Sequence, residues 1–430
     1  MDWYAGAPAE NSAVTRRVIP ATPSWLLRLV VVTALVGVGA GLSGLVVAAL
    51  LHLIQHFAYG YSAGTFLDGL LQAPPWTRVL ALSCAGVLGG AGWWALRRWG
   101  RPFVSVEHSV AGERMPTLVT VVNAALQIVI VGLGASIGRE AAPRELGALT
   151  AGWLSERVGV STRERRILVA CGAGAGLAAV YNVPLGGAVF AVAILLAEVS
   201  FATVLPALAT SAIATLVARL VVPTTPLYTV PAFTLSPSLM AWSVLIGPVI
   251  GFAAIGFTRL AQLAHDKRPR SWGILILMPV TFAAVGLLGV AFPAILGNGR
   301  ALGQIAFDAA IPLGLMTVLL VSKVVATIGT IGSGAAGGTL TPSLAVGAAF
   351  GALTGGLWTL VWPGMPPGAS ALIGAAAFLA SSMRAPVTAL ILVLEFTSAG
   401  TAMLVPMMLA IGGSVAVSYV LGRRRLTGVD

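Results

Sequence analysis

Gly134-Ala135-Ser136-Ile137-Gly138-Arg139-Glu140-Ala141-Ala142-Pro143 sets an arginine and a glutamate side by side in a stretch otherwise built of apolar and small residues. The residues just before it, 118–133, carry no charge and are mostly hydrophobic. Glu140 is therefore expected at membrane depth, where an ionisable side chain is costly and marks an ion or proton path. The glycines and the proline predict a break in the helix. A helix that restarts after such a break presents free N–H groups and the positive end of its dipole, and together these hold an anion.

The rest of the chain supports a membrane setting. Of its 430 residues 57% are hydrophobic and only 9% charged, with a mean hydropathy of +0.94, whereas roughly 25% of the residues of a soluble domain are charged. Uncharged runs recur at 29–51, 79–96, 117–133, 183–197, 203–218, 240–257, 274–296, 311–321, 371–380 and 403–420. Several are shorter than the roughly 20 residues that span a bilayer. Short, glycine-interrupted segments are what half-helices ending inside a membrane look like, and most of the 52 glycines are assigned to close helix packing. The expected fold is an all-α polytopic membrane protein.

The net charge of +11 suggests nucleic-acid binding at first sight, but the basic residues form no basic domain. They sit between hydrophobic runs: Arg16, Arg17 and Arg28 before the first, then Arg97, Arg98 and Arg101, then Arg163, Arg165 and Arg166, then Lys267, Arg268 and Arg270, and finally Arg423, Arg424 and Arg425. By the positive-inside rule all of these clusters, and both termini, face the cytoplasm. Residues 1–24 are expected to be a cytoplasmic tail with no cleaved signal, 25–422 a single transmembrane domain, and 423–430 a short basic tail, with no room for a soluble regulatory domain. The two cysteines, Cys84 and Cys171, are packing residues rather than a disulfide scaffold.

Two regions echo each other about 200 residues apart. Tyr181-Asn182-Val183-Pro184 resembles Met383-Arg384-Ala385-Pro386, each proline opening an apolar helix, and residues 134–143 match 332–342, each a small-residue stretch ending in proline. Two matches in the same order at nearly the same offset argue for a duplicated unit, over about 76–220 and 272–422. Transporters built this way place the substrate at the interface of the repeats, with broken-helix N-termini converging on it. Converging positive helix ends select an anion.

These residues resemble the ClC family of chloride channels and chloride/proton antiporters. Gly138-Arg139-Glu140-Ala141-Ala142-Pro143 is similar to the family's Gly-Lys/Arg-Glu-Gly-Pro signature, and Gly338-Thr339-Leu340-Thr341-Pro342 to its Gly-x-Phe-x-Pro signature. Residues 172–190 resemble the helix after the first signature, and Arg384 through Glu395 its later counterpart. Tyr419 falls where the family keeps its central tyrosine. The resemblance implies an inverted-repeat homodimer in the plasma (inner) membrane, moving chloride, and for antiporters protons, without a cofactor. It implies a gating role for Glu140, and anion binding by the backbone of Gly138, Arg139 and Glu140, by Thr339 and Leu340, and by the hydroxyl of Tyr419.

The departures from the pattern bear on mechanism. Ala141-Ala142 replace Gly-Pro after the glutamate, with the proline one place later, and Leu340 replaces the Phe. The family's Gly-Ser-Gly-Ile-Pro loop is not recognisable; residues 103–109 occupy its place, with Ser105 as the candidate filter serine and Ser109 as the alternative. The inward-facing glutamate of the antiporters falls near Ala193-Ile194, which cannot titrate, and leaves Glu198, about one turn further on, as the candidate proton relay. Channel, weakly coupled exchanger and fluoride-selective transporter all stay open.

Simpler roles compete for these residues. Glu140 could be neutralised by Arg139, Tyr419 could be an interfacial aromatic, and Glu395, Glu198 and Arg384 could belong to ion pairs or helix ends. His52 and His56 share a helix face, but no His-Glu-x-x-His motif accompanies them and no metal site is expected. There is no ATP-binding phosphate loop. An intramembrane enzyme using Glu140 and His108 as acid and base is the reading from another class. Anion transport requires the two signatures to meet face to face; the enzyme does not.

Overall fold

The computed structural model describes the backbone of residues 23–426 and the side chains of 27–421. Most of the tail expected over 1–24, with Arg16 and Arg17, and the side chains of Arg423, Arg424 and Arg425 lie outside the described residues.

Apolar helices punctuated by glycine and proline make up the chain. It opens with α1 (Pro23–Tyr59) and a short α2 (Phe66–Gln72). Then come α3 (Pro75–Trp99), α4 (Val106–Val110), α5 (Thr117–Gly132), α6 (Ala141–Val158), α7 (Thr162–Tyr181), α8 (Pro184–Phe190) and, after a π-helical turn at Ala191–Leu196, α9 (Phe201–Ala218). A loop leads to α10 (Pro237–Lys267), and the series recurs as α11 (Ile274–Ala291), α12 (Arg300–Asp308), α13 (Leu313–Gly332), α14 (Leu340–Thr359), α15 (Ala369–Met383), α16 (Pro386–Thr397) and α17 (Leu404–Leu426). Among the described residues eight helices are long and apolar enough to cross a membrane, while Thr117–Gly132, Pro184–Leu196, Ala369–Met383 and Pro386–Thr397 are apolar but shorter. These are the half-length segments the sequence pattern anticipates. Phe201, 94% exposed, and Val361, 81% exposed, point out of the helical core, as lipid-facing side chains do.

The packing repeats with the sequence. α1 lies against α5, α6, α7 and α9, and α10 lies in the same way against α13, α14, α15 and α17; α3 meets α11, and α8 meets α16, across the pseudo-axis. The packing thus extends each unit back to α1 and α10. The register is 200 residues at the signatures, where Gly134 (φ +105) and Gly334 (φ +103) make matching left-handed turns after α5 and α13, and 202 residues at the ends of α7 and α15, which Asn182 (φ +56) and Arg384 (φ +53) close alike. Gly334, not Gly332, is therefore the partner of Gly134. Glycine also sets the helix crossings. A Cβ on Gly147 of α6 would lie 2.1 Å from the carbonyl oxygen of Gly172 on α7, and one on Gly374 of α15 2.5 Å from that of Gly347 on α14, so a methyl group at either crossing would force the backbones apart.

Lys323 fastens one repeat to the other. It is fully buried on α13, and its ammonium donates to Ser136 Oγ at 2.8 Å, to the Ile295 carbonyl at 2.9 Å and to the Gly297 carbonyl at 2.8 Å. Ser136 belongs to the first signature and residues 295–297 to the second repeat. All three protons of the amine are satisfied, so a costly buried charge becomes a tether. Lys323→Met removes three charge-assisted hydrogen bonds, the Ile295 carbonyl keeping only Ser136 Oγ at 3.2 Å, and should cost about 3 kcal/mol or more. The check is the unfolding midpoint in detergent, which should fall clearly below wild type.

Candidate anion site

The two signatures meet in the middle of the molecule. Gly138 N–H donates to the Gly338 carbonyl at 2.8 Å, and Gly338 N–H donates back to the Gly138 carbonyl at 3.0 Å, an isolated antiparallel bridge. This is the face-to-face meeting that separates the transport reading from the enzyme reading. It also makes a correction: the Gly138 N–H, expected to bind the anion, is committed to Gly338.

Glu140 sits at the N-cap of α6 with helical backbone angles and does not cap its own helix. Its carboxylate crosses to the start of α14. Oε1 accepts from Leu340 N–H at 2.6 Å and Thr341 N–H at 3.3 Å; Oε2 accepts from the Thr341 hydroxyl at 3.1 Å and the Tyr181 hydroxyl at 3.3 Å. The residue is completely buried. Among the described residues no cation pairs with it within 4.0 Å. What balances the charge is the end of a helix dipole and a set of donors. Any small anion would be held there by the same groups.

Only glycine leaves room for that carboxylate. A Cβ on Gly138 would lie 2.2 Å from Glu140 Oε2, and one on Gly338 2.3 Å from Oε1.

Arg139 does not neutralise Glu140. Its guanidinium lies 4.9 Å over the Tyr181 ring, and its Nε is buried with no hydrogen-bond partner among the described residues. It lines a cavity of about 410 Å³ together with His52, Tyr181 and Arg300. On the other side of Glu140, Ala141 lines a second cavity of about 630 Å³ with Arg97, Arg101, Thr339, His265 and Arg268. The chain neighbours of Glu140 thus face different cavities, and the buried carboxylate stands between them.

Other expected site residues are placed differently. Thr339 is the N-cap of α14 and faces the larger cavity; the donors to Glu140 come from Leu340, as expected, and from Thr341. Tyr419 is 62% exposed on α17. The tyrosine that reaches the carboxylate is Tyr181, at the end of α7 where the left-handed Asn182 turns the chain. Ser105 caps α4, its hydroxyl accepting from His108 N–H at 3.3 Å, and lines neither cavity; Ser109 is buried, with its carbonyl accepting from Arg165. Glu198 pairs with Arg163 at 3.0 Å at an exposed site, where such pairs contribute little. Glu395 accepts from Leu185 N–H at 3.0 Å and Gly186 N–H at 2.6 Å, capping α8 from the opposite repeat. Thr341 and Tyr181 both lie within the repeated motifs, but nothing in a linear pattern tells which hydroxyls turn inward.

A buried carboxylate held where two inverted repeats meet, between cavities bounded by its own neighbours, defines a multi-pass integral membrane protein of the broken-helix transport class. Residues 87–419 match the model of the voltage gated chloride channel family. The chain belongs to that family. It is 29% identical over 412 residues to a putative chloride channel protein, ClcB-like, of Ralstonia nicotianae, covering 89% of this chain and 91% of that protein. Among solved structures it is similar to a slow cyanobacterial Cl−/H+ antiporter, with a TM-score of 0.80 at 19% identity over 92% of this chain and 95% of that one. It is also similar to a CLC-type fluoride/proton antiporter, with a TM-score of 0.68 at 20% identity over 92% and 96% of the two chains. At these identities the likeness to the solved structures is one of fold.

Proposed function

We propose that the protein moves chloride, or a similar small anion, across the plasma (inner) membrane, with Glu140 as the movable competitor for the anion's place. The observation that carries this reading is the position of the Glu140 carboxylate, completely buried and held by Leu340, Thr341 and Tyr181 at the meeting of the signatures. A lone carboxylate so held stands in for the transported ion. Once protonated it has no charge for the helix end to hold, so it withdraws and an anion takes over its donors. The open N-terminus of α6, which has no side-chain cap, offers further N–H groups on the other side.

By the positive-inside rule the larger cavity, with Arg97, Arg101 and Arg268, opens to the cytoplasm, and both termini lie on that side. The family resemblance and the apolar outer helix faces support a homodimer with one pathway in each subunit. Residues 25–422 then act as one transport domain.

The test is reconstitution in liposomes under a chloride gradient, with fluoride in a parallel series and pH recorded together with anion efflux. Chloride efflux above protein-free liposomes is expected. If no anion moves, this reading fails; if fluoride alone moves, the substrate is fluoride. Thr341→Val, which deletes the hydroxyl donor and keeps the shape, should weaken the apparent chloride affinity by about tenfold, the value of one hydrogen bond to a charged group.

A further inference from the structure

α6 carries a second buried carboxylate. Glu145 lies five residues beyond Glu140, which is about 7.5 Å along a helix axis, in the direction of the larger cavity that it lines together with Asn123, Ala141 and Thr339. It is only 7% exposed. Its oxygens accept from Asn123 Nδ2 at 2.8 Å and Gln127 Nε2 at 3.0 Å, both on α5.

The charged groups around it do not pair with it. Neighbouring Arg144 turns away, its Nε donating to the Glu140 carbonyl at 3.1 Å and its guanidinium lying 5.2 Å over the Phe190 ring. Glu107 on α4 adds like charge to its surroundings, and Arg97, Arg101, His265 and Arg268 are the ionisable groups on the walls of the cavity. Among the described residues none forms an ion pair with Glu145 within 4.0 Å.

Gln127 is also completely buried, and its Oε1 has no hydrogen-bond partner among the described residues. An orphaned buried acceptor beside a carboxylate needs an explanation. Rotating the amide by half a turn brings that oxygen to the place of Nε2, 3.0 Å from Glu145 Oε1, where it accepts the proton of the carboxylic acid. The pocket therefore satisfies both protonation states, Nε2 donating to the carboxylate and Oε1 accepting from the acid.

The duplication supplies an internal comparison. At the 200-residue register Asn123, Gln127 and Glu145 correspond to Lys323, Thr327 and Ala345. There the polar group is a tether closed by three oxygens, and neither cavity includes it. The titratable, cavity-facing carboxylate is present in one repeat only.

We propose that Glu145 takes protons from the larger cavity and passes them to Glu140, so that anion movement is coupled to proton movement in the opposite direction. A proton from cavity water binds the Glu145 carboxylate. The acid then gives it up through water in the cavity to a Glu140 oxygen, and Glu145 returns to the carboxylate. Protonated Glu140 leaves the anion position and releases the proton on the Arg139 side, while an anion passes the other way. This rests on the anion-transport reading above, and the experiment separates the two.

Liposomes carrying wild type, Glu145→Gln or Glu145→Asp are followed for chloride efflux and proton uptake together. Wild type is expected to move both; Glu145→Gln should keep chloride efflux while its proton uptake falls about a hundredfold, the scale of losing a positioned proton-transfer group; Glu145→Asp should restore part of it. A wild type that moves chloride without protons, or a Gln variant with the wild-type proton-to-chloride ratio, overturns the inference and leaves the transport reading standing. Loss of both fluxes in the Gln variant makes Glu145 a structural residue and also overturns it. No anion flux in wild type sinks both. Infrared difference spectra on acidification give an independent readout: the protonated-carboxyl absorbance of Glu140→Ala is expected to fall in Glu140→Ala/Glu145→Gln, and identical spectra from the two variants would remove Glu145 from the path.

Discussion

Glu140→Ala should conduct chloride at a rate that no longer responds to pH. In the wild type the ionised carboxylate fills the anion's place, taking the Leu340 N–H at 2.6 Å and the two hydroxyls of Thr341 and Tyr181. Protonation removes the charge that the helix end holds, so flux depends on it. Wild-type flux should accordingly rise as pH falls. Alanine removes the competitor and leaves every donor in place, so flux should persist, at neutral pH above wild type, and its pH profile should be flat. Proton uptake should vanish with it. A variant that keeps the wild-type pH profile would show that another group closes the pathway.

Gly338→Ala should abolish transport where Glu140→Ala does not. A methyl group on residue 338 would come within 2.3 Å of the present position of Glu140 Oε1, and the proposed mechanism gives the space of that oxygen to the anion. In the wild-type background the carboxylate can swing away to make room, since it is the end of a flexible side chain. An anion cannot do the same and still reach the α14 N-terminus. The informative protein is therefore the double variant Glu140→Ala/Gly338→Ala, in which the methyl group meets only the ion. Its chloride flux should fall at least about a hundredfold below that of Glu140→Ala, as expected when the ion loses about two charge-assisted hydrogen bonds. Equal flux in the two variants would place the transported ion elsewhere.

The two variants probe parts of the site that were unequally legible in the sequence. Glu140 could be found because charge is rare in this chain and its setting is otherwise apolar, so one carboxylate stood out. The glycines flanking it were visible as a motif, but their purpose was not. Gly138 was expected to offer its N–H to the ion; instead it pairs with Gly338, and its lack of a side chain is what the site uses.

The tyrosines were illegible for a related reason. Place near the end of the chain points to Tyr419, yet it is 62% exposed, whereas Tyr181 is 5% exposed and reaches Glu140. Two tyrosines in apolar helices look alike in a linear pattern. Which one turns inward follows from the helix crossing and the left-handed residue after it, neither of which is local information. Spacing along the chain points to Glu198 and gives no sign of Glu145, which lies inside a helix whose inner face only packing against α5 defines.

From the sequence alone followed the membrane class, the duplication, the two signatures and the carboxylate, Glu140, on which the proposed gating rests. Hydropathy, glycine breaks and an isolated charge are properties of composition and spacing, and they survive without coordinates. Only the tertiary structure decided that Gly138 and Gly338 bridge, that Thr341 and Tyr181 complete the donor set, that Lys323 ties the repeats together and that Glu145 faces a cavity. Each of these is a contact between residues that the chain holds far apart, Glu140 and Leu340 being 200 positions from one another, and a site assembled at the interface of two repeats exists only after both have folded against each other.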